Sequence, residues 1–276
     1  MKIKKRSGDL VSFERDKLLY SLKKSGAEHK LAETIVQAIE QQIYDGIGAH
    51  EIYKLAFKML KQQSNAHAAR YKLKSAMQQI GPAGFVFEKF VARLFQAEAY
   101  ETRTNLILEG KCVSHEVDII IQKDQRTEMI ECKYHSRSES NSDVKVPMYI
   151  LSRFNDLKYK QHVLFGHNCS ITEGWIVTNN RFTKDAITFG TCVGLRLLSW
   201  DYPQKDNLST KIDKNKLYPL TCLTTLTATE KEKLMSMDLI LAYDLINNIP
   251  SIEHLGLSAR RIKNIVQEVT ELCEFY

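Results

Sequence analysis

The chain has 276 residues, 43% hydrophobic and 26% charged, with a formal net charge of +6. That length allows two or three domains with real cores, and the positive balance suits a polyanionic partner. No apolar stretch approaches a membrane span, no apolar run follows the basic start, and the six cysteines lack any C-x-x-C pair. These absences argue against a membrane protein, a disulfide frame or a zinc ribbon, and the expectation is a cytoplasmic protein with free thiols.

In chain order, residues 4–13 (Lys-Lys-Arg-Ser-Gly-Asp-Leu-Val-Ser-Phe) predict a small β-hairpin turning at Ser7-Gly8-Asp9. Asp16 and Lys17 open a helix through Leu18, Leu19 and Leu22. Further helices run through Leu31, Ile35, Ile39 and Ile43, then through Ile52, Leu55, Met59 and Leu60, with Tyr44-Asp45-Gly46-Ile47 between them. Ala68-Ala69-Arg70-Tyr71 opens the last helix of this part. Residues 84–95 predict a helix whose Phe87, Val91, Leu94 and Phe95 share one face, with Glu88 beside it.

Two strands follow, His-Glu-Val-Asp-Ile-Ile-Ile at 115–121 and Met-Ile-Glu-Cys-Lys-Tyr-His at 129–135, joined by a polar hairpin from Lys123 to Thr127. Residues 143–154 begin a helix with Pro147 near its first turn. Residues 174–187 read as a strand, a polar turn and a helix capped near Thr183, and residues 194–200 as a short strand. Residues 203–228 look like a polar linker, and helices resume from Thr229 to the end, with Arg260, Arg261 and Lys263 on the last. This tail is read as a plain helical cap or an arm for a homo-oligomer. A helix-hairpin-helix module is disfavoured because Ser258 stands where its second glycine is needed.

The chemistry concentrates on the two strands. Side chains alternate along a strand, so Glu131 and Lys133 share a face, Cys132 points away, and Asp118 can lie beside Glu131. Two carboxylates and a lysine at a strand edge make a site for a hard cation, Mg²⁺ or Mn²⁺, with a positive charge next to it. Metal-assisted phosphodiester hydrolysis needs that set: the ion activates water and offsets charge on the phosphate, while Lys133 orients the water or steadies the transition state. Glu116 lies on the same strand face as Asp118 and is a spare ligand candidate, although a solvated edge charge is the plainer account. His135 shares the face of Lys133 and is within reach of substrate phosphate. Lys145, Tyr149 and Arg153 recur at helical spacing, and that face is expected to meet the nucleic-acid backbone.

Residues 82–202 resemble the Mrr-like branch of the PD-(D/E)xK restriction-endonuclease superfamily, whose Phe-Glu helix, Asp strand, Glu-x-Lys strand, Val-Thr…Phe-Thr-Lys-Asp-Ala segment and Gly-Leu-Arg-Leu-Leu strand occur here in order. By that resemblance Asp118 and Glu131 hold the metal, Lys133 is the catalytic lysine, and Glu88 is the helix carboxylate that completes the acidic cluster. Many Mrr-like proteins carry Gln where this chain has Glu131, and Val113-Ser114-His115-Glu116 replaces the family's Gly-rich approach to the Asp.

Residues 1–80 resemble the ATP-cone, a nucleotide-sensing domain. The resemblance rests on Lys-Arg-x-Gly…Phe-x-x-x-Lys-Leu, Tyr-Asp-Gly-Ile and Ala-Ala-Arg-Tyr at fitting spacing. It implies that Lys5, Arg6 and Lys17 contact phosphates and that Ile3 lines the base or ribose pocket, with ATP or dATP as effector. Cations on a rigid hairpin and at a helix start suit a polyphosphate. Ala49 and Tyr53 stand where family members place polar residues.

The expected fold is multi-domain: a mostly α ATP-cone with a small β-hairpin (1–80), an α/β restriction-endonuclease-like core with a mixed sheet (82–202), the linker (203–228) and a small α-helical region (229–276). The expected function is Mg²⁺-dependent endonuclease cleavage of DNA, regulated by ATP or dATP, with DNA and a nucleoside triphosphate as partners and no membrane. Two alternatives remain: a nucleotide-sensing DNA-binding regulator that does not cut, and a nuclease acting on RNA, junctions or DNA ends.

Overall fold

The computed structural model describes residues 1–5, 7–81 and 84–274. They form two compact units: Met1–Ala76 together with the chain from Tyr218 onward, and Met77–Leu217.

The first unit opens with the antiparallel pair β1 (Lys2–Lys4) and β2 (Leu10–Ser12), Ile3 opposite Val11. Helices α1 (Arg15–Lys24), α2 (His29–Glu40), α3 (Ala49–Gln63), α4 (Asn65–Tyr71) and α5 (Leu73–Met77) follow. The helices form because their apolar residues fall on one stripe: Ala32, Ile35, Val36 and Ile39 on α2, and Ile52, Ala56 and Leu60 on α3, all buried. The turn after α2 holds the hairpin, with Lys4 N–H donating to Ile47 O and Gly46 N–H to Lys2 O, both at 2.8 Å. Ser64 starts α4 by accepting from His67 N–H at 3.2 Å.

The second unit runs α6 (Phe85–Ala97), β3 (Glu101–Glu109), β4 (Ser114–Lys123), β5 (Arg126–Lys133), β6 (Asn141–Ser142), α7 (Lys145–Leu157), β7 (His162–Leu164), β8 (His167–Cys169), β9 (Ile171–Thr178), β10 (Arg181–Phe182), α8 (Lys184–Cys192), β11 (Arg196–Leu198) and α9 (Leu208–Asn215). Its main sheet has the order β11-β9-β5-β4-β3. The pairs β3–β4 and β4–β5 are antiparallel, while β5–β9 and β9–β11 are parallel, so the sheet is mixed as expected. Asp124 and Gln125, with φ of 49° and 61°, make the two-residue hairpin between β4 and β5. Alternation along β9 sends Trp175 against Phe95 of α6, and Ile176 into a cluster with Ile150 of α7 and Ala186 of α8. Helices therefore cover both faces. Thr183 caps α8 by accepting from Ala186 N–H at 3.2 Å.

Residues 203–228 are not a bare polar linker. They carry α9 and a short 3-10 turn at Leu220–Cys222, and bury Leu208, Ile212, Tyr218, Leu220, Leu223 and Leu226. The stretch looked polar because Lys211 is itself buried, with Nζ held by Glu98 at 2.7 Å and Asp206 at 2.8 Å.

The chain then returns to the first unit through α10 (Ala228–Ser236), α11 (Ile249–Glu253) and α12 (Ala259–Cys273). Thr227 and Glu230 form a capping box at α10, and Arg261 bridges to Glu230 at 2.6 Å. The tail packs on the N-terminal helices rather than standing apart: Arg70 of α4 donates to Leu272 O at 2.9 Å and stacks over the Tyr218 ring at 5.7 Å. Among the described residues no helix is long and apolar enough to cross a membrane.

Candidate active site

The sheet opens at Asp118. Pairing of β4 with β5 runs from Lys123↔Arg126 to Ile119↔Ile130 and stops, whereas β5 stays paired with β9 as far as Lys133↔Thr178. Asp118 enters the split, where one carboxylate oxygen accepts from Cys132 N–H at 2.7 Å. On the other side Asn105 of β3 adopts a left-handed φ of 55° between the paired Thr104↔Ile119 and Leu106↔Val117, so the ladder is distorted opposite Asp118 as well. Asn takes this conformation far more readily than a β-branched residue.

Glu131 is buried, with 5% of its side chain exposed, and both its oxygens face cations: Oε1 accepts from Lys133 Nζ at 2.9 Å and Oε2 from Arg153 at 2.8 Å. Lys133 is about a third exposed (34%), so its ammonium borders solvent. Glu88, in the first turn of α6, adds a third acidic side chain to the same field. Burial, then the charges of Asp118, Glu131 and Glu116, push its carboxyl up to about 7. Burial and the Glu131 charge push Asp118 up to about 6, against the pull of the Cys132 N–H bond and the two cations. Burial and neighbouring carboxylates thus favour the protonated form of both groups. The donors are carboxylate oxygens, and among the described residues no three His, Cys, Asp or Glu side chains gather into a cage. That set fits Mg²⁺ or Mn²⁺, since Mg²⁺ keeps several waters and needs only one or two protein carboxylates.

Asp118, Glu131 and Lys133 come together, and Glu88 lies close enough to feel the charges of both carboxylates. Of the residues expected on the nucleic-acid face, Tyr149 and Arg153 do meet, with the guanidinium 5.7 Å from the ring centroid. Lys145 and Tyr149 are exposed on α7, but Arg153 reaches Glu131 with 12% of its side chain exposed. Arg153 sits on the flank of α7 beside the buried Ile150 and Leu157, its guanidinium between the exposed Tyr149 ring and Glu131. His135 is half-buried, its Nε2 3.0 Å from Ser142 Oγ and its pKa lowered by burial. Glu116 contributes its carbonyl, which accepts from Arg153, as well as its charge on Glu88.

Sequence reasoning also missed the residues that brace the end of β5. Tyr134 OH donates to Gln78 O at 2.5 Å, Asn179 bonds both the N–H and the carbonyl of His135 at 2.8 Å, and Asn180 Nδ2 donates to the Arg137 and Ser138 carbonyls. The consecutive Asn179-Asn180 just after an apolar strand was the available signal, because amides there are positioned to reach backbone groups; both are fully buried, and of the Asn180 amide only Nδ2 finds partners.

In the first unit Ile3, Lys5 and Lys17 line one cavity of about 300 Å³, with Phe13, Glu14, Tyr53 and Tyr71. Tyr53 and Tyr71 stack with ring centroids 5.1 Å apart, and burial pushes the Tyr71 hydroxyl up to about 12. Lys17 Nζ reaches Glu14 at 2.6 Å. Arg6 lies outside the described residues.

The second unit is a restriction-endonuclease-like nuclease domain, and the hairpin-and-helix part that begins the chain is a nucleotide-binding ATP-cone. Three family models match: ATP cone domain over residues 1–77, restriction endonuclease over 82–201, and AF1548-like, C-terminal, over 218–273. The chain thus carries an ATP-cone, a restriction endonuclease domain and an AF1548-like C-terminal region in that order. It belongs to the same family as an uncharacterized protein of Archaeoglobus fulgidus, which is 31% identical over 186 residues, 66% of this chain and 99% of the relative. The crystal structure of AF1548, a protein of unknown function, is 29% identical, with a TM-score of 0.55, and covers 68% of this chain and 97% of its own. Can2 from Sulfobacillus thermosulfidooxidans, solved with cyclic tetra-adenylate, is 16% identical with a TM-score of 0.34 over 72% of this chain and 54% of its own, too loose a likeness to carry an argument.

Proposed function

We propose that the protein is an endonuclease that hydrolyses DNA phosphodiesters with Mg²⁺ or Mn²⁺, and that ATP or dATP in the N-terminal cavity controls it. The observation that carries the first half is the lodging of Asp118 where β4 and β5 part, beside Glu131 and Lys133. In this reading Asp118 and Glu131 hold the ion through carboxylate oxygens and Glu88 completes the acidic cluster. The ion would supply charge neutralisation at the scissile phosphate and acidify the attacking water. Lys133 projects from the same strand face as Glu131 and borders solvent, so its Nζ is suited to donate to the water or to a phosphate oxygen as charge develops. Arg153 and the N–H of Cys132 keep Glu131 and Asp118 in fixed orientations before substrate arrives.

Support for the second half is the cavity where Lys5 and Lys17 meet an aromatic wall of Tyr53 and Tyr71: cations for a polyphosphate and a flat apolar surface for a base. Control by that nucleotide requires different affinities for two states of the protein. The test is cleavage of plasmid, linear duplex, single-stranded DNA and RNA with Mg²⁺, each with no nucleotide, ATP or dATP. DNA cleavage altered by nucleotide is expected. Cleavage of RNA alone would move the substrate, and binding without cleavage in every state would make the protein a DNA-binding regulator.

A further inference from the structure

Arg153 lies three residues after Ile150 and four before Leu157, both fully buried, and four after the exposed Tyr149, over whose ring its guanidinium sits 5.7 Å from the centroid. Its guanidinium donates to Glu131 Oε2 at 2.8 Å and to the Glu116 carbonyl, and its Nε is shielded from solvent with no partner. Lys133 holds the other oxygen of Glu131 at 2.9 Å. A divalent ion approaching Glu131 therefore meets a carboxylate with a cation already on each oxygen. Of the two, Lys133 is the more exposed, at 34% against 12%, and Arg153 is the one fixed from inside the fold. A guanidinium fork matches a phosphate better than a single carboxylate oxygen, since phosphate can accept two of its N–H groups at once.

Taking the site as the nuclease centre described above, we propose that Arg153 is a positioning residue that holds the cation place at Glu131 in the metal-free protein. It yields that place to the divalent ion when a phosphodiester arrives to take its guanidinium. Its positive charge relieves the repulsion between Asp118 and Glu131 while the ion is absent, and the same charge opposes the ion's entry. Metal and nucleic acid then bind weakly apart and more tightly together, with Arg153 as the link.

The experiment measures Mn²⁺ binding to the full chain by electron paramagnetic resonance, with and without a short hydrolysis-resistant phosphorothioate duplex. Arg153→Met, which keeps length and loses charge, is expected to bind Mn²⁺ alone about tenfold tighter than the parent, because a unit charge paired with the Glu131 carboxylate is gone. The duplex is expected to tighten Mn²⁺ in the parent and to change it little in Arg153→Met. If Arg153→Met does not fold, Arg153→Gln serves: its neutral amide can still donate to Glu131 or to the Glu116 carbonyl but carries no charge, so it too is expected to bind Mn²⁺ more tightly than the parent. Asp118→Asn separates this inference from the reading beneath it. Loss of Mn²⁺ in Asp118→Asn, with no gain in either Arg153 variant, overturns the role of Arg153 and leaves the metal centre standing. Mn²⁺ binding indifferent to Asp118→Asn overturns both. Equal tightening by the duplex in parent and Arg153→Met removes the link to phosphate.

Discussion

Replacing Asp118 with Asn should stabilise the metal-free protein at neutral pH, although the residue is central to the site. The Asn side chain still offers an oxygen to Cys132 N–H, so the split between β4 and β5 keeps its plug. What disappears is a buried negative charge next to Glu131. A rise from 3.8 to about 6 corresponds to about 3 kcal/mol, and partial contact with water reduces this to about 2 kcal/mol. The sign follows from proton binding: the folded chain holds this proton more tightly than the unfolded chain. The cost of ionisation is therefore absent below the unfolded pKa of 3.8, grows as pH rises, and is complete above about 6. In EDTA at about pH 7.5, Asp118→Asn should raise the melting temperature of the nuclease transition by roughly 6 °C, and at about pH 4.5 by less than half of that. Added Mg²⁺ should stabilise the parent and leave the variant unmoved. A variant less stable than the parent at about pH 7.5 in EDTA, or a gain unchanged by pH, would refute the account of crowded charge.

Three further outcomes follow from other parts of the molecule. Tyr53→Ala removes half of the stacked pair in the N-terminal cavity and should weaken ATP and dATP binding about 3- to 10-fold by calorimetry; unchanged affinity would take the base away from this wall. Thr227→Ala breaks the capping box of α10 and should cost about 1 kcal/mol in urea unfolding followed by far-UV signal, with an unmoved midpoint arguing against the cap. Gly110→Ala would place a methyl against the Asp156 carboxylate and 2.5 Å from Val113 O. Asp156 fastens the turn between β3 and β4 through Cys112 N–H at 2.8 Å and His115 at 2.8 Å. A loss of about 2 kcal/mol is expected, and a melting temperature equal to the parent's would show that the turn accommodates the methyl.

The period-two reading of residues 115–121 and 129–135 was enough to bring Asp118, Glu131 and Lys133 to one place, because a strand leaves its side chains only two faces. Glu88 was legible for a related reason: the stripe Phe87, Val91, Leu94 and Phe95 fixes which side of α6 meets the sheet. A helix has more faces, and there the reading was incomplete. Tyr149 and Arg153 do share a flank of α7, the guanidinium over the ring, but the same guanidinium also reaches Glu131, and a cation's carboxylate partner on another element cannot be read from helical spacing. The same blindness made residues 203–228 look like a linker, since the partners of Lys211 are Glu98, far back in the chain, and Asp206. The joining of the tail to the first unit rests on pairs such as Arg70 with Leu272 O, separated by 202 positions, and no local pattern encodes them. The cavity residues Tyr53 and Tyr71 were visible as aromatics at helical spacing, yet only the fold makes them one wall.

The central claim is that Asp118, Glu131 and Lys133 form a working phosphodiesterase centre. The most direct measurement is the rate of supercoiled-plasmid nicking with Mg²⁺ by the parent and by Lys133→Ala, with EDTA as the blank. The account predicts nicking by the parent that EDTA abolishes, and a loss of about 100-fold or more in Lys133→Ala with an unchanged far-UV spectrum. Equal nicking by parent and variant, or nicking that persists in EDTA, would contradict it.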